Sequence, residues 1–400
     1  NHWNTMNHST YINNRSDWDK YRRVWVGGKS FVEAYLQKYS ARESDADFIN
    51  RKGISYNSST AKTAVKKVKN SIYSRFKDIS RAGGSSAFQL WVNGHLNGVD
   101  GQGSTMNEFI GTSCLPELLV MSKVGVYVDA PIMTGITKRE EGNFQPYCYI
   151  YRAEDILDWQ VDARGKYTQV LLREEVLDTD VEIQTSFAGK TKTAYRYLKR
   201  THEGVEVRII SDPTVLDSPE EMTRLLRIQE IPFTTAEIED SLLCEVADHQ
   251  IAVVNLASSD LQYCFKANFP FYTEQRDKRS GYQDLLSNED GEGNNSSGPT
   301  IETGSTNGRS YGENVERPGF IHPSSEPLKA SMDKQEEIKK EIQDSVMLAI
   351  ASLDPTGEEG LEAGLSYIGL TLQKFSQIAM KLDATIEKSA ATLIPPFPPL

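Results

Sequence analysis

Apolar residues recur at helical spacing in two long segments near the end of the chain, Lys334 to Ile350 and Leu361 to Lys388. The stripes are Ile338, Ile342, Val346 and Ile350 in the first segment, and Leu361, Leu365, Ile368, Leu372, Phe375, Ala379, Leu382 and Ile386 in the second. Charged and amide side chains occupy the opposite faces, so both segments are predicted to be amphipathic helices. Each stripe needs a partner, either within the chain or in another copy of it.

The first 80 residues also have a mainly helical pattern, with predicted breaks at Gly27-Gly28 and near Gly53. Thr60 to Phe76 repeats its apolar positions at helical spacing. Residues 83–103 are rich in Gly, Ser and Asn, which predicts a loop around a short strand at Phe88 to Val92.

Strand patterns dominate the middle of the chain. A predicted helix, Met106 to Lys123, precedes them, and a second long helix, Glu239 to Phe265, follows them. The predicted strands are Val124 to Pro131, Tyr147 to Tyr151 and Gln169 to Glu175, and Tyr195 to Arg200 forms a hairpin with Val205 to Ile210 around Glu203-Gly204. Ser287 to Asn314 is a low-complexity stretch with too few apolar residues to order itself strongly.

Charge is distributed unevenly along the 400 residues. Residues 1–81 carry 16 Lys/Arg and 7 Asp/Glu, a net charge of +9, so the total of −12 leaves −21 for the remainder. An acidic body argues against a protein that clings to DNA, because stable phosphate binding requires clustered lysine and arginine. The basic part includes Lys62, Lys66, Lys67 and Lys69. These lysines form either a solvated helix face or a patch for an acidic partner surface or nucleic acid.

The hydrophobic fraction of 38% is somewhat low for one compact globule. It favours an extended subunit that completes its burial against neighbours, and the alternative is an ordinary globule with long loops. Four widely spaced cysteines without a CxxC pair argue against a structural zinc site and a disulfide scaffold, and they fit a reducing compartment. Apolar runs are far shorter than a membrane span requires, and no signal peptide is visible.

Candidate chemistry is sparse. Gly27-Gly28-Lys29-Ser30 matches the end of a phosphate-binding loop, but Arg23 stands where that motif needs its first glycine, so a helix–helix turn is predicted. Asp290 to Asn294 resembles the start of a calcium loop, but Ile301 stands at the position of the bidentate Glu. A solvated acidic loop is therefore predicted there.

Catalytic constellations are not evident either. No nucleophile elbow is present, and His202 and His249 lie far apart without a Ser or Cys context. Acidic pairs such as Glu174-Glu175 and Asp178/Asp180 have the chemistry of a general acid and base, but pairs at the end of a strand are usually solvated. We therefore expect a protein that is not an enzyme, with no catalytic residues, no cofactor and no metal site.

A series of short segments follows a definite order and spacing along the chain. The segments are Phe48–Arg51, Asn57–Phe76, Glu117–Pro131, Gln145–Tyr147, Tyr151–Trp159, Leu171–Glu175, Ile231–Phe233, Asn255–Leu261 and Asn268–Pro270. The clearest is Glu117–Pro131, a helix followed by a strand of the form G-x-hydrophobic-VD-x-P. Taken together, the series resembles the portal proteins, or head-to-tail connectors, of tailed double-stranded DNA bacteriophages, over roughly residues 45–390.

The resemblance implies an α+β, mainly helical fold, a portal-like subunit with wing, stem helices, a small clip and a tunnel-loop helix, assembled as a ring. It implies the following parts: wing 1–238 (helical 1–82, α+β 83–238), first stem helix 239–269, clip 270–322, second stem helix 323–353, tunnel loop 354–360, long helix 361–390 and Pro-rich tail 391–400. Because the chain ends soon after its last predicted helix, a large C-terminal crown is expected to be absent or cut off.

The resemblance also implies a function. A ring, usually of twelve copies, would sit at one capsid vertex of the virion, having been made in the host bacterial cytoplasm. It would serve DNA packaging and ejection, and its partners would be other copies of itself, the major capsid protein, terminase, then tail adaptors, and duplex DNA passing through unread, with no membrane. The alternatives are another virion assembly module, such as a tail adaptor or baseplate protein, or an enzyme with an unrecognised site.

Mapped onto this chain, the resemblance assigns two DNA-facing sets. The tunnel loop would be Asp354, Pro355, Thr356, Gly357, Glu358, Glu359 and Gly360, and the channel-lining helix would present Lys334, Glu337, Lys340, Glu341 and Asp344. The candidate capsid- or DNA-facing basic patch is Lys62, Lys66, Lys67 and Lys69. An anionic passage suits such a function, because each net phosphate contact would hold DNA that has to move.

Overall fold

The fold mixes helices with antiparallel sheets. A computed structural model describes residues 7–78, 80, 86–95, 97–129, 146–177, 191–210, 222–226, 228–268, 271–273, 319–321 and 324–351. This part is about 51% helix and 24% strand. The expected fold class, an α+β but mainly helical portal-like subunit, is therefore wrong. The prediction failed because residues 123–237 pair into more strands than their local patterns indicate, including segments predicted as connections.

Helices make up the start of the described chain and return at its end. The α-helices are α1 Ser9–Val26, α2 Gly28–Tyr35, α3 Asp45–Ile54, α4 Thr60–Phe76, α5 Ser86–Val92, α6 Met106–Phe109, α7 Leu115–Met121, α8 Val246–Asn268 and α9 Glu326–Ala351. Side-chain caps set several of their starts. The Ser44 hydroxyl accepts a hydrogen bond from Asp47 N–H (3.1 Å) ahead of α3, and Thr105 and Glu108 form a capping box at α6.

The turn between α1 and α2 confirms the interpretation of Gly27-Gly28-Lys29-Ser30. Gly27 and Gly28 have φ of +68° and +69°, a region that glycine enters without steric cost, and the Gly27 N–H donates to Arg23 O at 2.8 Å. Residues Tyr21 to Val26 are helical, as predicted, rather than a core strand. The predicted break near Gly53 is confirmed, because α3 ends at Ile54, one residue after Gly53, and α4 begins only at Thr60.

The predicted strand at Phe88 to Val92 is wrong, since these residues belong to helix α5. Phe88, Trp91 and Val92 are buried while Leu90 is exposed. That spacing of three and four is helical, so the burial of one helix face decides against the strand that the aromatic and β-branched residues favour.

Two antiparallel sheets form the middle of the molecule. The strands are β1 Lys123–Asp129, β2 Tyr147–Arg152, β3 Ile156–Val161, β4 Tyr167–Leu177, β5 Thr191–Arg200, β6 Val205–Ile210, β7 Met222–Leu226 and β8 Phe233–Glu237. The first sheet has the order β2-β1-β8 and the second the order β3-β4-β5-β6-β7. The predicted hairpin of β5 and β6 is confirmed, with Arg200 opposite Val205.

Side chains from both sheets share one core. Tyr127 and Phe233 from the first sheet pack with Ile156, Leu172 and Leu198 from the second. Gly125 lies in the central strand β1, between Tyr151 on β2 and Thr235 on β8. The Phe233 ring occupies the space beside it, so this strand position has room for glycine alone.

The chain divides into two compact units. The first contains residues 1–35, 57–252 and 338–400, and the second contains 36–56 and 253–337. In the second unit, α3 packs on α8 through a hydrogen bond that Arg51 donates to the Ser258 hydroxyl and through a hydrogen bond between the Ser55 and Ser258 hydroxyls. The same unit holds a short antiparallel ribbon of β9 Phe271–Thr273 and β10 Gly319–Ile321.

The two long helices agree in part with their predictions. The segment Lys334 to Ile350 lies within α9, and Ile338, Ile342 and Val346 are buried, as the stripe predicts. Helix α8 starts at Val246 rather than Glu239, because β8 runs to Glu237 and a turn follows it. Residues 354–360, the second predicted helix 361–388 and the low-complexity stretch lie outside the described residues. Within the described ranges, no helix combines the length and apolarity that crossing a bilayer requires.

Candidate functional site

The polar face of α9 carries the five residues assigned to a channel-lining helix. Lys334, Glu337, Lys340, Glu341 and Asp344 are all exposed, and the buried positions lie on the opposite side of the helix. Lys334 Nζ is 2.9 Å from Glu337 Oε2, a pair three residues apart on the helix surface. Glu341 Oε2 is 3.6 Å from Nε2 of His249 on α8. This face is therefore charged, open to solvent and partly neutralised by its own ion pair.

The exposed side of α4 is strongly basic. Its 17 residues include five Lys/Arg and no Asp or Glu. Ala61, Ala64, Val65 and Val68 are buried, so one stripe faces the protein interior. With 3.6 residues per turn, Lys62, Lys66 and Lys69 then form a row along one flank, while Thr63 and Lys67 lie on the other.

Two aromatic rings lie within this row. Lys62 Nζ is 5.5 Å from the centroid of the Trp25 ring, and Lys69 Nζ is 5.9 Å from that of Tyr73. Both distances are within the range of cation–π attraction. Lys62 Nζ also approaches Val26 O at 3.5 Å. The rings hold two of the lysine side chains along the helix and leave their charges uncancelled.

A cavity of about 300 Å³ lies at the start of α4. Its lining is made of Ser58, Ser59, Thr60, Thr63, Ala64, Lys67 and Gln343. Gln250 of α8 organises the neighbouring backbone: its Oε1 accepts from Ala61 N–H at 3.0 Å and its Nε2 donates to Ser58 O at 2.8 Å. Gln250 thus satisfies one backbone N–H of the first helical turn. The serine and threonine hydroxyls and Lys67 give the cavity its polar character.

The structure does not bring the three predicted sets into one described site. Asp354 to Gly360, the predicted tunnel loop, falls outside the described residues. Lys334 and Glu337 belong to the second unit, whereas the other three residues of the polar α9 face and the α4 lysines belong to the first. The assignment of these residues to a channel or a capsid contact stays a prediction.

Residues considered for catalysis occupy structural positions. Glu174 accepts hydrogen bonds from the Tyr151 hydroxyl (2.8 Å) and from Arg196 Nε (3.2 Å). The four cysteines are free thiols, with Cys114 and Cys148 buried and Cys244 and Cys264 exposed. Among the described residues, no group of three His, Cys, Asp or Glu side chains has the arrangement of a metal site.

Sequence reasoning missed a polar network around Arg196 between the two sheets. Its guanidinium lies 4.9 Å from the Tyr127 ring centroid and 3.4 Å from Asp129 Oδ2, in addition to its contact with Glu174. Burial raises the pKa of Tyr127 to about 12. Because Arg196 on β5 lies beside the carboxylates of Asp129 on β1 and Glu174 on β4, the network joins the two sheets. The arginine at an inward position of β5 was its only signal, and its partners are distant in sequence.

Comparisons with known proteins do not assign the chain to a family. No protein-family model matches its sequence, and no curated protein is significantly similar to it.

Proposed function

We propose that this chain is the portal protein of a tailed double-stranded DNA bacteriophage. Copies of it would close into a ring at one capsid vertex, through which DNA is packaged by terminase and later leaves through tail adaptors. The proposal rests on the collinear sequence resemblance together with one structural observation: a long insertion separates two helices, and its two ends pair with each other.

That observation concerns the second unit. Helix α8 ends at Asn268 and β9 begins at Phe271, while β10 ends at Ile321 and α9 begins at Glu326. Because β9 and β10 pair antiparallel, with Phe271 opposite Ile321, the intervening residues 274–318 leave and return at one point. The two helices are tied to each other, since Asp260 Oδ2 accepts a hydrogen bond from Ser331 (2.8 Å) and is also bonded by Gln335.

The resemblance requires three consecutive parts: a helix at 239–269, an insertion at 270–322 whose two ends pair with each other, and a returning helix at 323–353. The pairing of β9 with β10 fixes the two ends of the insertion next to each other. This supports an insertion that acts as a docking element for a partner such as terminase or an adaptor. The division of the chain into wing, stem and clip remains a prediction.

Charge gives a second line of support. The five residues assigned to the channel-lining face of α9 comprise two lysines and three acids, and the chain beyond residue 81 has a net charge of −21. Duplex DNA is held in proportion to the phosphates that a protein neutralises. A wall of slight negative charge therefore lets DNA slide, whereas a basic wall would act as a brake.

Subunit number tests the proposal. Gel filtration coupled to light scattering should give one species of about twelve subunits that persists on dilution, because head-to-tail contacts that close by rotation produce a ring of fixed size. A stable monomer at all protein concentrations would contradict the proposal.

A further inference from the structure

We propose that the basic side of α4 is a binding surface for the phosphate backbone of nucleic acid, independent of base sequence. This surface, the α4 basic face, is the exposed side of α4, with the row of Lys62, Lys66 and Lys69 on one flank and Lys67 with its adjacent cavity on the other. Binding at this surface is a different property from the proposed conduit, in which DNA passes an anionic wall without being held. It does not depend on the portal assignment.

The charges on α4 repel one another and so disfavour the helix. Exposed helices usually place acids three or four residues from their lysines, and like charges at those spacings are unfavourable. Here Lys66 follows Lys62 by four residues and precedes Lys69 by three. Lys62 also lies in the first turn, where the helix dipole disfavours a cation. A bound polyanion would remove all of these repulsions together.

The lysine charges on α4 are available to a partner. Among the described residues, none of the four lysines forms an ion pair with a carboxylate. Lys66 and Lys67 are exposed, and the aromatic rings beside Lys62 and Lys69 supply no opposite charge. A solvated face that served only solubility would gain from interspersed acids, and residues 57–77 contain none.

The spacing of the lysines and the neighbouring hydroxyls match a row of phosphates. Lys62 and Lys69 are seven residues apart, about 10 Å along a helix axis at ~1.5 Å per residue. Duplex DNA carries a charge about every 1.7 Å of its axis, so such a row faces several phosphates at once. Serine and threonine hydroxyls commonly donate to phosphate oxygens alongside lysine. Ser59 and Thr63 line the cavity together with Lys67, which gives this face both kinds of donor.

Fluorescence anisotropy with a labelled duplex of arbitrary sequence, about 30 base pairs long, tests the surface directly. The full chain should bind it, with affinity falling as salt rises from roughly 50 to 200 mM. The variant Lys66→Gln/Lys67→Gln should bind at least about tenfold more weakly. Its log–log salt slope should be shallower by about two, because each lysine that neutralises a phosphate contributes roughly one to that slope.

A matched control removes two exposed lysines elsewhere. Lys199 on β5 and Lys329 on α9 are exposed, and Lys199→Gln/Lys329→Gln changes the net charge by the same amount. This control should bind like the unmodified chain. Equal losses in the two double variants would reduce the effect to net charge and overturn the proposal, as would the absence of DNA binding by the unmodified chain.

Labelled poly-glutamate in the same assay separates the two kinds of polyanion. Preference for the duplex supports the proposal, whereas preference for poly-glutamate would assign the face to an acidic protein and overturn it. Subunit number is measured on the same sample. Rings that ignore DNA would refute only the α4 basic face, and monomers that bind DNA through Lys66 and Lys67 would refute only the portal function.

Discussion

Arg51 and Glu43 form an ion pair that solvent does not reach. Arg51 Nε lies 2.8 Å from Glu43 Oε1, and the two side chains are 1% and 0% exposed. Arg51 also donates to the Ser258 hydroxyl at 2.9 Å and to the Gln37 carbonyl at 2.6 Å. The guanidinium thus joins α3, the segment before it and α8 within the second unit.

We therefore predict that Arg51→Ala lowers the free energy of unfolding by about 3–5 kcal/mol, because it leaves the Glu43 carboxylate buried without its partner. Urea unfolding at fixed protein concentration measures the change. Arg42→Ala, which removes an exposed arginine nearby, is the control and should cost less than about 0.5 kcal/mol. The double variant Arg51→Met/Glu43→Leu should recover much of the loss. Equal effects of Arg51→Ala and Arg42→Ala would contradict this role of the pair.

The same pair predicts a dependence on pH. Hydrogen bonds from Arg51 lower the pKa of Glu43 below its ordinary value. A carboxyl whose pKa is depressed by folding stabilises the protein above its unfolded pKa, and the contribution disappears as the pH falls through the folded pKa. The difference in unfolding free energy between the unmodified chain and Glu43→Gln should therefore be full at neutral pH and shrink below about pH 4.

Removing the arginine should reverse that dependence. In Arg51→Ala, burial without the guanidinium favours the neutral form of Glu43, which raises its pKa. Stability should then fall as the pH rises through that pKa. Urea unfolding of the two backgrounds across the acidic range measures both slopes, and parallel curves would show that Arg51 does not control this carboxyl.

Burial of the α9 stripe predicts a strong position effect along one helix. Ile342 is 0% exposed, whereas Met332 on the same helix is 55% exposed. A carboxylate at position 342 would lose its hydration without gaining a partner, so Ile342→Asp should lower the free energy of unfolding by more than about 3 kcal/mol or prevent folding. Met332→Asp is the control and should fold normally. Normal stability of Ile342→Asp would mean that the stripe faces solvent.

Close packing at Gly125 predicts a cost for a single methyl group. A Cβ at this position would lie 2.7 Å from Phe233 Cε2 and 2.9 Å from Ile156 Cδ1. Gly125→Ala should therefore lower the free energy of unfolding by about 1–3 kcal/mol through overpacking. At Gly53 in α3, the same Cβ would meet no atom within 4 Å, so Gly53→Ala should be neutral or stabilise by up to about 1 kcal/mol. A stable Gly125→Ala would show that β8 moves freely against β1.

Local patterns in the sequence were sufficient where one face of an element decides its burial. The stripe through Ile338, Ile342 and Val346 predicted α9, and the Glu203-Gly204 turn predicted the β5–β6 hairpin. In both cases the information lies within a few neighbouring residues.

Contacts between distant residues could not be predicted in this way. Short segments such as Met222–Leu226 become strands because β6 pairs with them, and the assumption of a mainly helical chain failed there. The local sequence around Arg51 does not indicate its burial, yet its side chain is 1% exposed and donates a hydrogen bond to Ser258, 207 residues away. The α4 lysines were visible in the sequence, whereas the cavity beside Lys67 depends on Gln343 of α9.

The central claim is that copies of this chain enclose a passage for DNA, and negative-stain electron microscopy of the purified protein tests it most directly. The account predicts closed rings of uniform diameter with a stain-filled hole on the symmetry axis, at roughly twelve-fold symmetry. Compact single subunits without a central hole, at every concentration imaged, would contradict it.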